Sequence, residues 1–106
     1  MRSFFPLRQK MSKYKEVFQD MVDYNGEVFA SFQKLHDAYS LNPQQLQKAF
    51  NQEGERVLRI IRKYENILCG KSESGKYGKF SSTLSDKFWG EVRQRFPNID
   101  KVGLLS

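Results

Sequence analysis

Proline stands at only three of the 106 positions, 6, 43 and 97, leaving two stretches of more than thirty residues free of the residue helices tolerate least. Both stretches are rich in Lys, Glu and Gln, good helix formers. Along each, the large apolar residues recur at alternating steps of four and three, the spacing of one helical face. A strand would need alternation at every second residue, which neither stretch has. Helices are therefore required, and each has room to be long.

The first helix is expected from about Ser12 to Tyr39. Ser12 is a suitable N-cap, and Glu16 puts negative charge in the first turn. Its seam reads Tyr14, Phe18, Met21, Asn25, Val28, Phe32, Leu35 and Tyr39, flanked by Val17, Val22, Tyr24 and Phe29. Asn25-Gly26 admits two readings. The pair tolerates the geometry that ends a helix, yet the seam keeps its register through Asn25, which favours continuity.

Asn42-Pro43 marks the clearest boundary. Asn42 is a good N-cap, Pro43 suits the first helical position, and Gln45 completes a capping box. The second helix is expected from residue 43 to Cys69, with Gly70 as its stop. Its seam reads Leu46, Phe50, Glu53, Val57, Ile60, Tyr64 and Ile67, widened by Ile61 and Leu68. Glu53 is a misfit there, since a buried unpaired carboxylate is too costly.

So short a link lays the two helices antiparallel. With the turn centred near Leu41, Gly26 falls close to the level of Gly54, and the two backbones are expected to approach there. A third helix is expected over 82–96, with Leu84, Phe88, Val92 and Phe96 evenly spaced, Trp89 beside them, and Pro97 as the stop. Residues 70–81 read as a Gly- and Ser-rich loop. The tail, with Ile99, Val102, Leu104 and Leu105, is apolar enough to pack back.

The expected fold is thus all-α: a long antiparallel helical hairpin plus a shorter third helix, a small bundle completed by oligomerisation. Residues 1–11 form a flexible basic segment, and 12–106 a single helical domain. Oligomerisation follows from lengths. A helix of 15 residues spans about 22 Å and one of 28 about 42 Å. The third helix alone covers only about half of the hairpin's apolar face, and tails or another molecule must cover the rest. Phe29, Phe32, Val57, Ile61 and Tyr64 are the candidate protein-interface residues.

Charge is unevenly spread. The net +6 divides into a basic segment over 1–15, an acidic one over 16–55, a second basic one over 56–80 and a nearly balanced one over 81–106. In the acidic block Glu16, Asp20, Asp23 and Glu27 form a stripe at helical spacing. On the second helix Lys48, Arg56, Arg59 and Lys63 form another, flanked by Arg62 and continued by Lys71, Lys76 and Lys79 beside Tyr77 and Phe80. Outward charges are ordinarily a solvated helix face. Basic side chains next to aromatics also hold phosphates and stack bases, so Arg56, Arg59, Arg62, Lys63, Lys76, Tyr77, Lys79 and Phe80 are the nucleic-acid candidates.

Catalytic constellations are poorly supplied. One His (His36) and one Cys (Cys69) leave no nucleophile, base and orienting group in concert. A helix C-terminus disfavours the Cys69 thiolate. A single cysteine also excludes an internal disulfide and the usual multi-Cys zinc site. The acidic stripe lacks the partner His of a di-metal carboxylate site. Gly70 to Tyr77 nearly matches a phosphate-binding P-loop, but Tyr77 stands where a small hydroxyl residue must reach magnesium, and a helix precedes it where a strand should. No catalytic residue, metal or cofactor is expected.

The apolar run at the N-terminus is too short for a secretion signal, and no segment approaches a bilayer span. Arg2, Phe4, Phe5, Arg8 and Lys10 are the only membrane-surface features, and membrane association is not expected. A soluble cytoplasmic protein is. The functional expectation is a non-enzymatic, self-associating helical interaction module, an adaptor or assembly subunit. The alternative is a small basic nucleic-acid-binding protein or an accessory subunit of a nucleoprotein complex.

Overall fold

The computed structural model describes residues 12–70 and 78–104, with the side chains of 78–82 excepted. They form an all-helical bundle: α1 (Lys13–Tyr24), α2 (Gly26–Leu41), α3 (Pro43–Gly70), α4 (Gly78–Arg95) and a 3₁₀ turn, Ile99–Lys101. No strand occurs among the described residues.

The first expected helix is divided at Asn25, whose φ of −123° and ψ of 36° lie outside the helical well. Helical hydrogen bonding still crosses the break: the Asn25 N–H donates to the Met21 carbonyl, and the Phe29 N–H donates to the Asn25 carbonyl. The Asn25 side chain also donates to Met21 O, at 2.9 Å. That local bond competes with the backbone ladder and bends the helix without changing its apolar phase. Ser12 has the extended backbone of an N-cap but no side-chain capping bond. Asn42 closes α2 and opens α3 through main-chain bonds, donating to Ala38 O and accepting from the Leu46 N–H. The fourth helix starts at Gly78, four residues earlier than expected, so Lys79 and Phe80 belong to its first turn and not to a loop.

Stacked rings hold the core. Phe50 of α3 lies against Phe32 (centroids 5.3 Å apart) and Tyr39 (4.0 Å) of α2. Phe96, just past α4, meets Phe32 and Phe29 edge-on at 5.0 and 6.0 Å. Phe18 of α1 meets Phe88 of α4 at 6.2 Å. Each such pair contributes about 0.5–1.5 kcal/mol beyond the area it buries. Val17, Met21, Val57, Ile61, Leu68, Val92 and Ile99 complete one continuous cluster.

The buried side of α3 is Gln47, Phe50, Gly54, Val57, Ile61 and Leu68. This corrects the expected seam at four positions: Gln47 is buried for Leu46 and Gly54 for Glu53, while Ile61 and Leu68, expected as flanks, are buried for Ile60 and Ile67. Glu53 is exposed, and its apparent misfit disappears. In α2 the buried positions are Phe29, Phe32, His36 and Tyr39, where Val28 and Leu35 were expected to lead. The close approach of Gly26 and Gly54 does not occur. A side chain at Gly26 would meet nothing within 4 Å, whereas one at Gly54 would collide with Val102.

Val102 reaches Gly54 because the tail is pinned by polar side chains. Gln47 Nε2 donates to Lys101 O at 3.0 Å, Asn51 Nδ2 donates to Leu104 O at 2.9 Å, and the Gly103 N–H donates to Asn51 Oδ1 at 2.7 Å. Gly103 turns the chain with φ of +94°, a conformation other residues rarely adopt. Ile99 is buried, and Val102 packs half-buried against the core. The tail thus covers part of the face that the short helix was expected to leave open.

Candidate functional site

Helix α3 is amphipathic through all 28 residues. With Phe50, Gly54, Val57 and Ile61 inside, positions 48, 52, 56, 59 and 63 must project outward, and Lys48, Gln52, Arg56, Arg59 and Lys63 are all exposed. The ridge from Lys48 to Lys63 is about 22 Å long. Arg62, also exposed, lies one helical step from Arg59 on the side facing α4. Among the described residues, no carboxylate comes within ion-pairing distance of Arg56, Arg59, Arg62 or Lys63. The sequence candidates Lys76 and Tyr77 lie outside the described residues, as do the side chains of Lys79 and Phe80. The near P-loop falls on the same stretch.

Between α3, α4 and the tail lies an open cleft of about 320 Å³, with Leu58, Ile99 and Val102 supplying apolar wall and Arg62, Asp86, Trp89, Arg93 and Asp100 the polar and aromatic wall. Arg93 is locked by a two-pronged ion pair, Nε to Asp100 Oδ2 at 3.0 Å and Nη2 to Asp100 Oδ1 at 3.3 Å. Its guanidinium lies 5.6 Å from the centroid of the half-buried Trp89 ring. Asp100, with a smaller contribution from Asp86, pushes the Arg93 pKa further up. Sequence reasoning missed this cleft: the Arg93–Asp100 pair joins residues across Pro97, and no helical period connects them.

The expected protein-interface residues are placed differently. Phe29, Phe32, Val57 and Ile61 are each at most 2% exposed inside the single chain, and Tyr64 is half-buried against the same core. They are core residues and do not form an open face, because Phe96 covers Phe29 and Phe32 while α1 and α4 both pack on α3. Among the described residues, the exposed large apolar side chains are instead Tyr24, Leu41, Ile67 and Leu104. The acidic stripe is outward as expected, with Glu16, Asp20, Asp23 and Glu27 all exposed on α1 and the start of α2.

His36 has a structural task. Buried at 4% exposure, it accepts the Asn98 N–H at Nε2, 3.0 Å away. Its proton then belongs on Nδ1, which faces Asp37 Oδ1 at 3.3 Å. Asn98 is tied a second time, its Nδ2 donating to Ser40 Oγ at 2.7 Å. Cys69, near the end of α3, is half-buried, and burial, with Glu65 adding to it, pushes its thiol pKa up. No group of three or more His, Cys, Asp or Glu with metal-holding geometry occurs among the described residues. No helix among them is long and apolar enough to cross a membrane.

No family model, no curated protein and no solved structure matches the chain.

Proposed function

We propose that the chain is a non-enzymatic helical binding module that holds a nucleic-acid backbone on the outer ridge of α3. One observation carries this reading: Arg56, Arg59 and Lys63 share an exposed face with no described carboxylate pairing them. Cations left unpaired on a rigid helix recruit phosphates by releasing condensed counterions. His36, the natural general base, is occupied in holding Asn98. The test is oligonucleotide binding across a salt series. Affinity should fall steeply as salt rises, and the triple variant Arg56→Glu, Arg59→Glu, Lys63→Glu should lose it while keeping its helical circular dichroism. Undiminished binding by that variant ends the reading.

A second reading, self-association, keeps support from the opposite charges on the outer faces of α1 and α3. In a pair of molecules the acidic stripe of one lies along the basic ridge of the other, the arms of each hairpin serving as the two charged faces. The apolar anchors expected for such an interface are internal, so the attraction rests on exposed ion pairs worth about 0–1 kcal/mol each. Sedimentation at high protein concentration and low salt tests it. A strict monomer there rules it out.

A further inference from the structure

The basic ridge does not end at solvent on the α4 side. From Arg59 the next cation is Arg62, on the wall of the Trp89 cleft. Four charged side chains line that cleft, and two of them, Arg93 and Asp100, satisfy each other. Arg62 is left with no described ion pair. Beside it stands a half-buried indole kept in place by Arg93, over an apolar floor that includes Leu58. A cleft of about 320 Å³ is at the small end of ligand sites, room for one planar heterocycle and not for a folded segment.

We infer that the cleft receives one unstacked base of a single-stranded nucleic acid, against Trp89, while Arg62 and Arg59 hold the phosphates flanking it. This inference rests on the proposed backbone-binding ridge and adds the strand state of its ligand. A base in a duplex is stacked on both faces and cannot enter a side-chain cleft without being extruded. Stacking on an aromatic side chain suits any base, because each has a π-face. Asp86, on the same wall, is an acceptor for the amino groups that three of the four bases carry. Arg62 neutralises the phosphate without first having to give up a carboxylate partner.

Trp89 is the chain's one tryptophan, so its emission reports on the cleft alone. The full chain is titrated with a single-stranded oligothymidylate, with an abasic strand of the same length, and with a blunt duplex, following both anisotropy of a labelled strand and Trp89 fluorescence. The single strand should quench the indole. It should also bind roughly five- to 150-fold tighter than the abasic strand, the range set by one base–aromatic stack. Trp89→Leu should bring the two strands to equal affinity, and Arg62→Glu should weaken both. Binding of all three ligands with similar affinity and an unchanged indole overturns the cleft assignment and leaves the ridge reading standing. Failure of every ligand to bind at low salt overturns both.

Discussion

Val102 occupies the space that a side chain at Gly54 would need: an added Cβ would sit 2.5 Å from one Val102 methyl and 2.7 Å from the other. Glycine in mid-helix ordinarily costs about 1 kcal/mol relative to alanine, so the position is held by close packing against its propensity. Gly54→Ala should destabilise the fold by about 1–2 kcal/mol, overpacking outweighing the helical gain. Val102→Ala should relieve much of that. In a double-mutant cycle by urea denaturation, the pair should be more stable than the sum of the single losses. Additive losses would mean that the tail does not bear on α3 in solution.

Gly54 packs against Val102 and not, as expected, against Gly26, for a reason that extends to the whole helix. The true inner face of α3 begins with Gln47 and passes through Gly54, neither of them apolar enough to register in a hydrophobic pattern. Leu46, Ile60 and Ile67, one residue before Gln47, Ile61 and Leu68, complete an equally regular but displaced pattern. Phe50, Val57 and Tyr64 belong to both. Only tertiary partners decide between them: Val102 for Gly54, and Tyr39 with the tail carbonyl of Lys101 for Gln47, whose Oε1 accepts the Tyr39 hydroxyl at 2.6 Å. The helices themselves and the boundary at Asn42-Pro43 were legible because proline and apolar periodicity act locally. The outward ridge was legible too, since only four of the seven inner positions move by one residue, which turns the face by well under one residue step of about 100° and leaves Arg59 and Lys63 outside. The Trp89 cleft was not, because its walls come from three separate elements.

His36 and Asn98 give a polar counterpart to the Val102 contact. Removing the ring in His36→Ala leaves the Asn98 N–H without its acceptor and opens space beside Phe32, Phe50 and Phe96, whose rings lie 5.6–6.3 Å from the imidazole. The unmet hydrogen bond alone should cost about 1–3 kcal/mol. His36→Gln, which can offer its amide oxygen near the Nε2 position, should recover part of the loss. Amide hydrogen exchange at Asn98 should accelerate in the alanine variant and slow again in the glutamine one. Equal instability of both variants, with unchanged exchange at Asn98, would reduce His36 to a filler.

The Cys69 thiol should be a poor nucleophile. Burial raises its pKa and Glu65 raises it further, so the reactive thiolate is scarce near neutral pH. Its alkylation by iodoacetamide should be slower than that of the urea-unfolded chain, and should still be climbing at a pH where the unfolded thiol has levelled off. Glu65→Gln should quicken it modestly, the burial effect remaining. The linked effect on stability follows in sign. A pKa raised by folding favours the folded state while the thiol is protonated, and that contribution fades as pH climbs from the unfolded towards the folded value. Stability should therefore decline on the alkaline side, and less so in Cys69→Ala. A thiol that reacts as fast folded as unfolded would contradict this.

Gly90 supplies the opposite case to Gly54. It lies well inside α4, has no positive φ, and an added Cβ would meet nothing within 4 Å. The only terms left are backbone entropy in the unfolded chain and helix propensity, and both favour alanine. Gly90→Ala should stabilise the protein by about 0.5–1 kcal/mol, a rise of several degrees in Tm for a domain near this size. Gly26→Ala is equally free of contacts, but its residue opens α2 just after the Asn25 bend. A first-turn position has fewer helical bonds to secure, so its gain should be smaller. Thermal melts of the two single variants and the pair should rank Gly90→Ala above Gly26→Ala, with the effects additive at sites this far apart in sequence and in different helices. A destabilised Gly90→Ala would place an unseen neighbour against α4 at that point.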